Sequence, residues 1–457
     1  MQYIIDSFLP SEEGIMVQGV IESTEYKILD NKEWGTFKDS LRSPIHNWFP
    51  YPAGFSNRAV EHAIRKFSIT QEDFIYDPFA GTGTTNIVAK TLGINSVGIE
   101  AHPFIYFVAK TKTYWDYDVN KVVEGSRQIE ALARKIATDV KQDQWDLKAE
   151  FPELVYKCFS ANTLRHLYAI REAIRQSDFV DSYRDFFNLA LTCILRPVAN
   201  VATGWPYIAP SKKKHGADKD VYATFSEMVL KMYGDIRRVA TDSASCAACT
   251  IINGDARDTT DYIEDNTVDF IFTSPPYLNN YDYADRTRLE TYFFGWAKDW
   301  GEISDKVRTQ LIMSATTQIN RGRYQPQDIL SADLKLTAPY VACELQSKID
   351  QLSQLRLTKG GKKSYDILVG GYFNDMFRVL KDCYRVLKSG SYCVLILGDS
   401  APYGIHVPTE VVLGDIGKAI GFSNYEIEVL RGRGDKWKGN PQRHKIALRE
   451  SILYLRK

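Results

Sequence analysis

Seven runs of this sequence are apolar for most of their length, and helix-patterned stretches separate most of them. They are Phe74 to Ala80, Asn95 to Ala101, Thr250 to Asp255, Val268 to Thr273, Tyr392 to Gly398, Tyr425 to Leu430 and Glu450 to Leu455. A strand with one wet face alternates apolar and polar residues, whereas an unbroken apolar run needs cover on both faces. Strands covered twice and joined by helices make a mostly parallel α/β sheet, here of seven strands. The segment Tyr372 to Leu387 places Phe373, Phe377, Leu380, Tyr384 and Leu387 at helical spacing and stops at Lys388-Ser389-Gly390, so a crossover helix is predicted before the strand at Tyr392. The last two strands are close in sequence, which permits an antiparallel pair at one edge.

Two regions break the alternation. Residues 117–245 carry helical patterns such as Ile129 to Val140 and Thr163 to Arg175, with a Ser211-Lys212-Lys213-Lys214-His215-Gly216 loop, and read as a mostly helical inserted domain. Residues 315–364 form a smaller basic insertion that carries Arg321-Gly322-Arg323 and ends in Lys359-Gly360-Gly361-Lys362-Lys363, expected to be a mobile loop. Residues 1–116, 246–314 and 365–457 then remain as three parts of one α/β domain.

Lys plus Arg (57) equals Asp plus Glu (57), so any nucleic-acid contact must come from local basic patches. No apolar run approaches the roughly 20 residues of a membrane span, and Met1 to Pro10 lacks the basic and apolar regions of an export signal, so a cytoplasmic protein without membrane contact is expected. The 7 cysteines do not form a disulfide framework and are expected to be free thiols. Cys246 and Cys249 make a lone C-x-x-C with no second ligand pair, so no metal site is expected.

The first strand runs into Asp77-Pro78-Phe79-Ala80-Gly81-Thr82-Gly83-Thr84-Thr85, followed by a helix-like run from Asn86 to Leu92. Glycines at 81 and 83 let the backbone turn sharply beside a ligand, and the helix start offers unpaired N–H groups. No Gly-Lys-Ser/Thr follows and the dinucleotide glycine fingerprint is absent, which disfavours a phosphate site. The next strand ends at Glu100, roughly 20 residues after the glycines, where a carboxylate can accept from both hydroxyls of a ribose. The third strand ends Asn253-Gly254-Asp255-Ala256 and the fourth Thr273-Ser274-Pro275-Pro276-Tyr277. All four strand ends would meet in one crevice at the carboxyl side of a parallel sheet.

Asp77-Pro78-Phe79-x-Gly81-x-Gly83-Thr84 is similar to the cofactor motif of the amino-methylating DNA methyltransferases, and Thr273-Ser274-Pro275-Pro276-Tyr277 resembles their catalytic motif. His46-x-x-Phe49-Pro50-Tyr51-Pro52-Ala53-Gly54-Phe55 looks like the segment that closes over the methionine end of the cofactor. Arg431-Gly432-Arg433 and His444 to Ser451 resemble the tail of the same domain. The likeness covers roughly half the chain and explains neither insertion. It implies a Rossmann-like, S-adenosylmethionine-dependent methyltransferase sheet. The residues it implies for the cofactor are Tyr51, Phe55, Asp77, Pro78, Phe79, Gly81, Gly83, Thr84, Glu100, Asp255, Ala256 and Thr273. In that family a Ser-Pro-Pro-Tyr loop goes mainly with cytosine N4 and an Asp- or Asn-Pro-Pro-Tyr loop mainly with adenine N6, so Ser274 puts cytosine first and leaves adenine as the alternative. The cofactor motif precedes the catalytic motif, unlike many N4-cytosine enzymes, which have the reverse order.

An exocyclic base amine is a poor nucleophile because its lone pair is delocalised into the ring. The Ser274 hydroxyl and the Pro275 carbonyl can accept its two hydrogens, while Pro275 and Pro276 stiffen the loop. Tyr277 is expected to stack on a target base flipped out of a double helix. Carbon-5 methylation is disfavoured because no cysteine follows a proline. Asn279, Asn280, Tyr281, Asp282, Tyr283 and Arg286 either line the base pocket or simply open the helix Thr287 to Phe294. Candidate DNA contacts are Lys212, Lys213, Lys214, Arg321, Arg323, Lys362, Lys363, Arg431, Arg433, Lys436, Lys438 and Arg443. Alternatives from other classes are an RNA base methyltransferase and a catalytically silent binding subunit. The resemblance further implies a restriction-modification or phage-defence setting, with a cognate endonuclease or defence subunits as partners.

Overall fold

The computed structural model describes residues 26–28, 34–51, 54–142, 146–203, 208–214, 219–240, 247–433 and 446–457. The main sheet has eight strands: β1 (Tyr26–Ile28), β2 (Phe74–Asp77), β3 (Asn95–Ile99), β6 (Cys249–Ile252), β7 (Val268–Thr273), β8 (Leu387–Gly398), β9 (Asn424–Arg433) and β10 (Leu448–Arg456). A separate antiparallel ribbon joins β4 (Val201–Ala202) to β5 (Ala209–Lys213). The strand order of the main sheet is β1-β9-β10-β8-β7-β2-β3-β6, and β10 alone runs against its neighbours. All seven predicted strands are present. The eighth, β1, has only three residues and pairs parallel with β9, so the C-terminal antiparallel pair is not the edge of the sheet.

Continuous apolar strands are explained by two cores, one on each face. Phe270 and Phe272 of β7 point to α1 (Asn57–Lys66) and α2 (Thr84–Thr91), where Val60, Ile64 and Val88 meet them. Ile271 of the same strand points the other way, into a core with Phe373, Met376 and Leu380, which Val268 joins at the start of the strand. β8 divides alike, with Val394 and Ile396 on the first face and Leu395 and Leu397 on the second.

α3 (Pro103–Thr113) follows β3 and leads to the first inserted region. That region is built from α4 (Val119–Gln142), α5 (Ala161–Gln176), α6 (Asp181–Val198) and α7 (Val221–Val239), with short helices between α4 and α5. The expected basic loop is partly strand: Lys212 and Lys213 belong to β5, while His215 and Gly216 lie outside the described residues. The core of these helices is continuous with Trp48, Phe104 and Val108, and with Leu289 and Phe293 beyond the Ser-Pro-Pro-Tyr loop.

The second inserted region holds short 3-10 turns and α8 (Pro339–Thr358), whose Leu345, Ile349 and Leu352 join the core containing α9 (Tyr365–Val386). α9 is the crossover helix expected from Tyr372 and begins seven residues earlier. Lys388 to Gly390 do not end it as a turn. They continue as strand, and a register shift against β7 takes up the extra residues, with Gly390 at φ 84°. α10 (Thr409–Ile420) covers the same face.

The described cysteines, Cys158, Cys193, Cys249, Cys343, Cys383 and Cys393, are free, and Cys246 lies outside the described residues. No helix among the described residues is long and apolar enough to cross a membrane.

Candidate active site

β2 delivers Asp77 to a turn that opens α2 at Thr84. Gly81 (φ 54°) and Gly83 (φ 85°) both sit in the left-handed region, which a Cβ would oppose. The Asp77 Oδ1 accepts from the Phe79 N–H at 3.0 Å and from the Thr273 hydroxyl at 2.6 Å. Because Thr273 ends β7, this bond ties the glycine turn to the Ser-Pro-Pro-Tyr loop through two adjacent strands. Burial pushes the Asp77 carboxyl up to about 6, with the Thr273 bond opposing the shift.

The chain leaves β2 toward β3 on one side, while β7 is followed by β8 on the other, so a switch-point crevice opens between β2 and β7. It is a cleft of about 850 Å³ counting space open to solvent, lined by Tyr51, Phe55, Pro78, Phe79, Gly81, Thr84, Glu100, Asp255, Ala256, Ser274 and Pro276 among others.

Glu100 closes the floor. Its Oε2 accepts from the Gly81 N–H (3.0 Å) and its Oε1 from the His102 N–H (2.7 Å). Burial nevertheless pushes its carboxyl up to about 8, so these two amides do not replace the water it has lost. Two further hydroxyl donors, such as a ribose carries, would meet that need. Asp255 is held from below, its carboxylate gripped by Arg257 at 2.7 Å, while Arg257 also reaches Asp375 at 3.1 Å.

Ser274 faces the cleft from the end of β7. Its hydroxyl donates to the Ile396 carbonyl at 3.2 Å, and Ser274 itself is on the cleft wall. Tyr277 is not part of the cleft lining, and its phenol is directed to the C-terminal strands. Its phenol donates to Glu450 Oε1 at 2.9 Å, and Arg431 Nε donates to Glu450 Oε2 at 2.7 Å. Burial, and then the Glu450 charge, push the phenol well above its ordinary value, so it remains a donor.

The structure does not put every expected residue on the cleft wall. Asp77, Gly83, Thr273, Pro275 and Tyr277 are outside the lining; Asp77 and Thr273 brace it from behind. Sequence reasoning missed His102, Gln310, Leu311, Ile312 and Ser314, which line the same cleft. The 310–314 stretch carries no motif and reaches the site by folding back, with the Asn279 N–H donating to the Ser314 carbonyl at 2.9 Å.

The expected DNA-contacting cations divide in two. Lys212, Lys213, Lys214, Arg323, Lys362 and Lys363 are exposed. Arg321 is committed to the buried Asp366 through two bonds of 2.8 and 2.7 Å, and Arg431 and Arg433 turn inward to the Tyr277 neighbourhood. Lys436, Lys438 and Arg443 lie outside the described residues.

The sheet order and its switch-point cleft are those of a Rossmann-like α/β methyltransferase fold. A family model described as DNA methylase matches residues 22–111, which span Tyr51, the glycine turn and Glu100 and stop before the Ser-Pro-Pro-Tyr loop. The chain is 26% identical to the Type II methyltransferase M.BsoBI of Geobacillus stearothermophilus, across 98% of this chain and 92% of that one. It is 24% identical to the Type II methyltransferase M.AvaI of a Nostoc species, across 92% and 88%. With the Type II methyltransferase M.MvaI of Kocuria varians it shares 20%, across 90% and 88%. The matches support an amino-methylating DNA methyltransferase: the chain is similar to Type II methyltransferases along nearly its whole length and to a DNA methylase family model over residues 22–111, and enzymes of that kind generally use S-adenosylmethionine.

Proposed function

We propose that this enzyme methylates the N4 amine of cytosine in double-stranded DNA, with S-adenosylmethionine bound in the β2–β7 cleft. The observation that carries the reading is Ser274, whose hydroxyl proton is directed to Ile396 while its oxygen stays on the wall of the cleft that Glu100 floors. S-adenosylmethionine would supply an electrophilic methyl group on a sulfonium. Glu100 holds the ribose hydroxyls, and Tyr51 and Phe55 cover the methionine end. Ser274 and the Pro275 carbonyl accept the two amine hydrogens and so localise the nitrogen lone pair on the line of transfer. The nitrogen–carbon bond forms as the sulfur–carbon bond breaks, and the amine then loses a proton. A base inside a duplex cannot enter the cleft, so the target is flipped out at a cost of a few kcal/mol, partly offset by stacking on Tyr277.

The two inserted regions are proposed to hold the DNA, through the exposed Lys212, Lys213, Lys214, Arg323, Lys362 and Lys363. The Type II relatives favour a restriction-modification setting with a cognate endonuclease.

The test is to express the protein in a methylation-free bacterial host, digest the genomic DNA to nucleosides and quantify methylated species by mass spectrometry. N4-methylcytosine is expected. N6-methyladenine would keep the chemistry and overturn the base, and neither product would overturn DNA amine methylation.

Cofactor binding carries a pH signature. The Glu100 carboxyl, pushed up to about 8 by burial, is largely protonated at pH 6 and must ionise to accept both ribose hydroxyls. Affinity is therefore expected to rise with pH from 6 to 8, by up to about tenfold per unit, with protons released on binding. Calorimetry on the unaltered protein and on Glu100→Gln isolates this share, because the variant lacks it while the cofactor's own amine titrates in both. Parallel pH profiles for the two proteins would remove the role.

A further inference from the structure

Three features converge on Tyr277 from the C-terminal strands, and methyl transfer as described above uses none of them. Glu450 is only 2% exposed, yet it carries both the Tyr277 phenol and the Arg431 side chain. Backbone packs directly against the carboxylate: a Cβ built on Gly35 would lie 1.9 Å from Glu450 Oε2. The Arg433 guanidinium lies 5.1 Å from the centre of the Tyr277 ring, and its Nη1 donates to the Asp399 carbonyl at 3.3 Å. Gly398 completes the seat, since a Cβ there would stand 2.9 Å from the ring and 2.0 Å from Arg433 Nη1.

The strand register explains how these side chains come together. Glu450 pairs with Arg431 and Ser451 with Val429, so Leu430 is an extra residue in β9. Such a bulge bends its strand and re-aims the side chains beside it. Arg431 thereby stands opposite Glu450, and Arg433, two residues on, lies over the ring.

We propose that Glu450 is a positioning residue for base methylation: paired with Arg431, it anchors the Tyr277 phenol so that the ring face not covered by Arg433 is presented to the flipped base. The inference rests on the reading of Tyr277 as the base-stacking residue. A ring anchored at its hydroxyl and backed by a guanidinium pays less orientational entropy when a base stacks on it. One ring face is taken by a cation, so the base has a single face to use. Glu450 touches neither base nor cofactor and acts only through Tyr277.

Tyr277→Phe is the discriminating variant, because it keeps the ring and deletes only the phenol that Glu450 holds. Transfer of labelled methyl groups to genomic DNA from a methylation-free host is measured for the unaltered protein, Tyr277→Phe, Glu450→Gln and the double variant. Each single change is expected to lower kcat/KM for DNA by about tenfold, with KM for S-adenosylmethionine little changed, and the double variant is expected to be no worse than the weaker single one. A purely structural Glu450 would lower melting temperature and leave Tyr277→Phe fully active; that result overturns the proposal. So does strict additivity of the two changes. If the unaltered protein transfers no methyl group to DNA, the functional reading fails and the proposal falls with it; an active unaltered protein with a fully active Tyr277→Phe sinks the proposal alone.

Discussion

Ser274→Ala is expected to lower kcat by about 10²–10³ while leaving cofactor affinity within a factor of about two, the pattern of a contact made in the transition state. In the proposed mechanism the hydroxyl is one of two acceptors for the amine, and its bond to Ile396 at 3.2 Å is worth only about 1 kcal/mol to the fold. Loss of activity therefore cannot be traced to unfolding. Glu100→Ala is the counterpart, expected to weaken cofactor binding first, because the proposed mechanism gives Glu100 the ribose hydroxyls and not the reacting amine. Single-turnover rates at saturating cofactor, with separate binding titrations, tell the two apart. Equal loss of binding and turnover from both variants would undo the division of roles.

Arg196→Met is expected to destabilise the protein by about 3–5 kcal/mol, the cost of stranding a buried carboxylate. Glu290 is 0% exposed, and Arg196 holds it through Nε at 2.6 Å and Nη2 at 3.1 Å. The same guanidinium donates to the Arg286 carbonyl at 2.6 Å and to the Thr203 carbonyl at 3.2 Å. One side chain of the inserted helices thus fixes both the lysine-bearing ribbon and the segment that follows the Ser-Pro-Pro-Tyr loop. Urea unfolding reads the effect as a lower midpoint. The double change Arg196→Met with Glu290→Leu is expected to recover much of the loss, since it removes the unpaired charge with its partner. A single variant as stable as the unaltered protein would show that the pair contributes nothing to joining the insertion to the catalytic part.

Much of the candidate site is local and could be read directly. The turn from Asp77 to Thr84, Glu100 after β3 and Ser274 after β7 each stand at a strand end, and strand ends of a parallel sheet fall on one side. Backbone chemistry does the placing there: glycine at positive φ, proline without an N–H, a carboxylate a fixed distance along the chain. The 310–314 wall of the cleft was not legible, because nothing in Gln310-Leu311-Ile312 marks a return to a site whose other parts are far away in sequence. β1 was missed for a simpler reason, since three residues are too few to show a period.

Charged residues divide the two kinds of information most sharply. In sequence, Arg321, Arg431 and Arg433 look like Lys212 and Lys362: each is a cation in a basic stretch. Arg321 is instead neutralised by a carboxylate, Asp366, that comes from α9, 45 positions away. Arg431 and Arg433 are turned toward Tyr277 by one extra residue in β9, opposite β10. The α/β sheet, the glycine turn and the order of strand ends were legible in the chain alone, because they follow from burial periodicity and from the φ values single residues tolerate. Which cations remain free, which walls close the cleft and what holds Tyr277 were decided only by tertiary structure, because a charge spends itself on its nearest partner in space and the chain brings that partner from elsewhere.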